Sequence, residues 1–148
     1  MPRDDRSRDD EGTILLLTIG LTAVLLLLLA VVVDVSKVVL AKRAIAAAAD
    51  GAAVAAAQQA DRASIVANGL GERLPLDPGA VEAVVADYQV EARDEQPGLE
   101  LAGSVADGDP TTVVVRAQRM ITLPFVGWLG VGEVTVEGTA RAQSPVIP

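Results

Sequence analysis

The side chains that most often perform acid–base chemistry or bind metals are missing from this chain. Its 148 residues include no His and no Cys, which excludes a histidine base, a thiolate nucleophile and a disulfide. Ser36 precedes Lys37, but adjacent residues of a helix do not face each other, so we expect no Ser/Lys dyad. Asp107 and Asp109 share a turn that lacks the further acidic residues of a calcium loop. The sequence therefore predicts no catalytic, cofactor-binding or metal site and no small-molecule substrate.

The charge of the chain restricts its partners. The net charge is −8, and residues 62–148 carry −6 of it. Nucleic-acid phosphates require a basic surface. We therefore expect no nucleic-acid partner.

The longest apolar run covers residues 14–33, in which no residue is charged. A helix of this length spans about 30 Å, the thickness of the bilayer hydrocarbon core. A soluble helix is normally polar on one face, and the apolar part of a signal peptide is usually only about 7–15 residues long. The run therefore predicts one membrane-spanning helix with lipid as its surroundings. Its flanks carry three Lys or Arg each, so the positive-inside rule does not set its orientation.

An alanine-rich segment follows the apolar run. Twelve of residues 41–60 are Ala, the best helix former, so we expect one continuous helix over residues 13–66 that ends near Asn68-Gly69. Its small residues allow close approach of other backbones. Two interpretations stay open: a stiff solvated spacer, or a helix that packs in a helical assembly. The candidate packing residues are Gly20, Ala47, Ala48, Gly51 and Ala52.

The remaining residues predict a short helix and a small sheet. Asp77 suits an N-cap with Pro78 at the first helical position, and this helix should run to about Asp87. Alternating apolar and polar residues predict antiparallel strands that are covered on one face by the short helix, the alanine-rich helix or both. The predicted strands are residues 88–93, 99–105, 111–121 and 134–142.

Residues 123–130 connect the last two predicted strands and hold two of the three aromatic residues of the chain. This connection either lies over the apolar face of the sheet or forms an exposed loop that contacts the membrane interface or a partner.

The fold class is therefore α+β. One long N-terminal transmembrane helix extends into the alanine-rich helix, and a short helix and an antiparallel sheet of about four strands follow. The chain divides into a charged tail (1–12), the transmembrane and alanine-rich helix (13–66) and a small domain (67–148).

Residues 11–58 read EGTILLLTIGLTAVLLLLLAVVVDVSKVVLAKRAIAAAADGAAVAAAQ. This segment resembles the N-terminal part of the TadE/TadG-like proteins of Flp (Tad) pilus assembly. In that family a Gly-led membrane helix runs into an acidic residue, a basic pair and an alanine-rich stretch; here these are Gly12, Asp34, Lys42-Arg43 and residues 48–53. Residues 113–143, a strand, an apolar loop after Pro124 and a second strand, also resemble the end of these proteins.

The resemblance implies a minor-pilin-like or assembly component of a Tad/Flp-type pilus or secretion system. It also implies a cell-membrane location with a cytoplasmic N-terminus and an extracytoplasmic domain, and other pilin-like or Tad assembly proteins as partners.

Pilin peptidases cut after a Gly that is followed by Glu at the fifth position. A cut between Gly12 and Thr13 would place Leu17 there. We therefore expect the chain to keep residues 1–12, with cleavage at Gly12 as the alternative.

Two other functions remain as alternatives. In the first alternative, the chain is a membrane-anchored module unrelated to pili, and its small sheet binds an extracellular partner. A membrane enzyme is the weakest interpretation, because no motif brings reactive side chains together.

Overall fold

A computed structural model describes residues 5–68, 75–125, 127, 130 and 132–143, with the backbone alone at residues 5–11, 60, 61 and 63–68. Within these residues, two helices and one three-stranded antiparallel sheet of order β1-β2-β3 form an α+β fold, as predicted. The elements are α1 (Asp5–Asn68), α2 (Pro78–Glu95), β1 (Leu99–Ala106), β2 (Asp109–Thr122) and β3 (Glu133–Gln143).

The long helix α1 contains the whole of the predicted segment 13–66. It also extends back into the charged tail, as far as Asp5. It ends at Asn68, and the predicted helix-stop residue Gly69 lies outside the described residues.

The start of α2 confirms the predicted cap. Asp77 has an extended backbone, and the N–H of Gly79 donates to Asp77 Oδ1 at 3.0 Å. Pro78 is the first residue of the helix. Its missing N–H carries no penalty there, because the first N–H groups of a helix have no partner within the helix.

The predicted strand at residues 88–93 is wrong, because these residues continue α2 to Glu95. Val81 and Val85 are buried, and Tyr88 and Ala92 pack against the same core. Their spacing of three and four residues follows a helical face. Over six residues, alternation of apolar and polar residues does not distinguish a strand from a helix. Here the packing of these residues against the sheet favours the helix. The described sheet therefore has three strands instead of about four.

Both helices cover one face of the sheet. The inward side chains of the strands join one core with α1 and α2. The opposite face is polar: Glu100 and Gln118 lie opposite each other on β1 and β2, and Gln118 Nε2 donates to Glu100 Oε2 at 2.6 Å. Such a one-sided sheet gives the alternation of polar and apolar residues from which the strands were predicted.

Helix α2 also protects the edge strand β1. The Leu101 N–H donates to Gln89 Oε1 of α2 at 2.9 Å, which satisfies one backbone group of that edge. At Gly103 a Cβ would lie 2.6 Å from Val85 Cγ2, so a residue without a side chain is required at this crossing.

The turn between β1 and β2 is organised by Asp109. Its carboxylate accepts hydrogen bonds from Thr111 Oγ1 at 2.6 Å, Thr112 Oγ1 at 2.7 Å, the Thr111 N–H at 3.0 Å and Gln143 Nε2 at 3.2 Å. These donors, the Thr111 hydroxyl first, hold the pKa of Asp109 well below its ordinary range. Asp109 thus joins the start of β2 to the end of β3.

We expect Asp109→Asn to lower the melting temperature at pH 7, because the amide places N–H groups where Thr112 and Gln143 now donate. A carboxylate with a depressed folded-state pKa stabilises the fold above about pH 4 and loses this contribution as the pH falls. The difference in melting temperature between the wild type and the variant should therefore become smaller below about pH 4. Thermal unfolding from pH 7 to pH 3 in detergent measures it, with the exposed turn residue Asp107→Asn as the control. A difference that is constant over this range would contradict the prediction.

Candidate functional site

The anchor run, residues 14–33 of α1, is exposed along its length. Its large side chains keep between 37% and 76% of their surface exposed, with Val33 lowest and Leu16 highest. None of the most apolar window of this helix is buried inside the chain. A core helix of a soluble domain would bury such residues, so this exposure fits a helix that anchors the chain in a membrane.

The next part of α1 buries one face against the domain of the same chain. The buried residues recur at intervals of three and four, which is the spacing of one helical face. After Ile45, this alanine stripe consists of Ala48, Ala49, Ala52, Ala53, Ala56 and Ala57, each at most 4% exposed. The alanine-rich segment is therefore neither a free spacer nor a surface left wholly open to an assembly. It is the support on which the sheet and α2 pack.

Small side chains set the distance between α1 and the rest of the domain. A Cβ on Gly51 would overlap the hydroxyl oxygen of Tyr88 from α2 and lie 3.0 Å from its Cζ. On the sheet, a Cβ on Gly138 of β3 would lie 3.2 Å from Ile45 Cγ2. Larger residues at these positions would force the elements apart, because packed interiors hold few voids.

Asp34 joins the domain to α1 where the anchor run ends. Its side chain is 3% exposed although it directly follows Val33. The N–H of Phe125, in the β2–β3 connection, donates to Asp34 Oδ2 at 3.2 Å. A hydrogen bond to a carboxylate contributes about 1.5–3 kcal/mol, and a buried carboxylate without such bonds would be costly. Asp34 therefore fixes the connection beside the end of the anchor run.

The described part of the β2–β3 connection leads from the core to α1. Leu123 is buried, and its N–H donates to the Gly132 carbonyl at 2.9 Å. Phe125 stays 47% exposed next to Asp34. Val126, Trp128 and Leu129, which belonged to the two alternatives for this loop, lie outside the described residues.

The candidate residues of the sequence analysis have different surroundings. Ala48 and Ala52 are buried in the alanine stripe, and Gly51 lies under Tyr88. Packing against a second protein stays a prediction for Gly20, Ala47, Ala48, Gly51 and Ala52, and cleavage between Gly12 and Thr13 stays an alternative. The exposed ones are Gly12, Thr13, Gly20 and Ala47.

The structure also defines what the described residues bring together chemically. Among them, no group of three His, Cys, Asp or Glu side chains lies close enough to hold a metal ion. In the sequence, Asp34 is only the acidic residue that follows the apolar run. Its role depends on a backbone N–H 91 residues away, which no local pattern indicates.

The comparisons with known proteins bear on this helix. Residues 12–59 match the Tad family model, described as "Putative Flp pilus-assembly TadE/G-like". Residues 12–59 are a TadE/G-like segment. The match confirms the resemblance of the N-terminal part of the chain, and it covers both the anchor run and the alanine stripe. A search of curated proteins and a search of solved structures each found no match.

We expect Gly51→Ala to destabilise the docking of α2 on α1. Overpacking costs roughly 1–3 kcal/mol, which exceeds the gain of about 1 kcal/mol in helix propensity. In a Tyr88→Phe background the overlapping oxygen is absent, so the same substitution should cost less. Thermal unfolding in detergent of the four members of this cycle measures the coupling.

Gly20→Ala is the matched control, because a Cβ there has no neighbour within 4 Å among the described residues. It should leave the unfolding temperature of the domain unchanged. A Gly51→Ala protein at least as stable as the wild type would show that Tyr88 does not pack on α1 as described.

Proposed function

We propose that this chain is a non-enzymatic, single-pass component of a Tad/Flp-type pilus or secretion system, in the manner of a minor pilin or an assembly factor. The observation that carries the proposal is the coincidence of the TadE/G-like match with the helix that provides both the anchor run and the alanine stripe. The same segment would hold the protein in the cell membrane and present its domain at the membrane surface.

The exposed surface of α1 supports a packing role. Gly20 in the anchor run and Ala47 beside the alanine stripe are exposed, whereas Ala48 and Ala52 are occupied by the chain's own domain. Small exposed residues on a membrane helix let a second helix approach closely. Other pilin-like or Tad assembly proteins are the proposed partners.

In the proposed arrangement the N-terminus is cytoplasmic and the domain is extracytoplasmic, and residues 1–12 are retained. Leu17 supports retention. A carboxylate at that position in a cleaved protein would have to find a partner within the membrane, whereas Leu17 is an exposed apolar side chain that needs none. In a cleaved chain, the new N-terminal amine at Thr13 would find no carboxylate at position 17 of a neighbouring subunit to pair with, because that position is Leu.

Site-specific photocrosslinking in the native host tests the proposal. A photoreactive residue is placed at Ala47 on α1 and, in a matched protein, at the exposed Thr139 on the polar face of the sheet. We expect Ala47 to give adducts with products of a pilus-assembly gene cluster and Thr139 to give few, since packing through the helix brings partners to α1.

The reverse result would contradict the proposal. Adducts at Thr139 alone, with a protein unrelated to pili, would indicate the membrane-anchored binding module. Absence of adducts at both positions in cells that assemble the pilus would also exclude packing through this face of α1.

A further inference from the structure

A groove between α1 and β2 lies just beyond the end of the anchor run. It has a volume of about 480 Å³, within the range of about 300–1,000 Å³ typical of ligand sites. Two of its residues are cations, Lys37 from α1 and Arg119 from β2. The residues that line it are Lys37, Leu40, Ala41, Ala44, Arg119, Met120, Ile121 and Thr122, and none of them is acidic.

Arg119 occupies an unusual position in the sheet. It lies between Ala117 and Ile121 on the strand face that packs against α1, where the neighbouring positions are apolar. Its Nε is buried and has no hydrogen-bond partner among the described residues. A buried guanidinium nitrogen without an acceptor is costly, so an acceptor that enters the groove would relieve this cost.

The two cations also require a counter-charge. Like charges that share one groove repel, and this repulsion is stronger near a low-dielectric surface. Asp34 lies one helical turn before Lys37, but it does not line the groove and accepts the Phe125 N–H. The chemistry of the groove therefore suits an anion, and a guanidinium presents a planar fork that matches phosphate oxygens.

The position of the groove along α1, measured from the end of the anchor run, indicates the source of the anion. Lys37 follows Val33, the last residue of the anchor run, by four residues, which is about 6 Å along a helix. The headgroup layer on each side of a bilayer is about 5–8 Å thick. Lys37, at the end of the groove nearer the anchor run, therefore lies at the depth of the lipid phosphates.

We propose that this groove binds the phosphodiester headgroup of an anionic phospholipid from the bilayer that α1 crosses. Arg119 and Lys37 contact the phosphate. The site orients the domain on the membrane surface, in addition to the attachment through Asp34. The inference rests on the membrane anchor and not on the role in pilus assembly.

Native mass spectrometry of the full chain in mild detergent tests the site, with equal amounts of phosphatidylglycerol and phosphatidylcholine added. We expect a one-to-one adduct that favours phosphatidylglycerol. Lys37→Gln and Arg119→Gln should each reduce this adduct about tenfold, the effect expected for loss of one charge-assisted hydrogen bond. Lys37→Arg, which keeps the charge, should retain it.

Lys42→Gln is the matched control, because it removes an exposed cation of α1 that does not line the groove. It should leave the adduct unchanged. Equal losses in Lys42→Gln and Lys37→Gln would overturn the site in favour of general charge attraction. Displacement of the lipid by millimolar inorganic phosphate would overturn the lipid assignment in favour of a free phosphate.

Two parallel measurements separate this test from folding and anchoring. Circular dichroism shows whether Arg119→Gln keeps the fold. If it does not, Lys37→Gln, which changes an exposed residue of α1, still tests the site. Membrane fractionation shows whether each variant stays anchored. Folded, anchored variants that bind phosphatidylglycerol as the wild type does would overturn the proposal, whatever the outcome of the crosslinking in the host.

Discussion

The packing of the sheet and α2 on the alanine stripe of α1 is the contact on which the rest of this structure depends. A three-stranded sheet with one polar face is too small to form a core alone, so it needs a cover on its apolar face. Helix α1 provides most of that cover with methyl groups, which hold the backbones close together. Residues 14–33 of this helix are apolar on all sides, whereas the segment after Asp34 carries charged residues beside its buried alanine stripe. One helix thus provides both the exposed anchor run and the surface on which the domain packs.

This arrangement couples the anchor to the domain mechanically. A flexible linker would let the domain move freely above the bilayer, whereas here no residue between Val33 and Ile45 leaves the helix. Asp34 adds a second attachment at the level where the anchor run ends, through the Phe125 N–H. A partner that binds either half of α1 therefore also fixes the position of the other half. Such rigidity is useful in an assembly whose subunits pack through their helices.

Much of this fold could be predicted from the sequence, because its signals are local. The anchor run, the continuous alanine-rich helix, the Asp77 cap and the strands around the Asp107 turn all follow from composition and spacing. The prediction was wrong at residues 88–93, where six alternating residues fit a strand and a helical face equally well. The burial of Asp34 and the position of Arg119 could not be predicted, because they depend on which strand lies beside which turn of α1. The face of the alanine segment that is buried depends on the same tertiary contact.

Packing on the alanine stripe makes residues 45–57 of α1 part of the same cooperative unit as the sheet. Hydrogen–deuterium exchange of the full chain in detergent micelles measures this, since the micelle covers the anchor run but not these residues. We expect backbone amides of Ala48–Ala57 to exchange as slowly as those of the central strand β2, because both open only when the domain unfolds. Exchange of these α1 amides much faster than that of β2, at the rate of a solvated alanine helix, would show that this segment is not part of the folded domain.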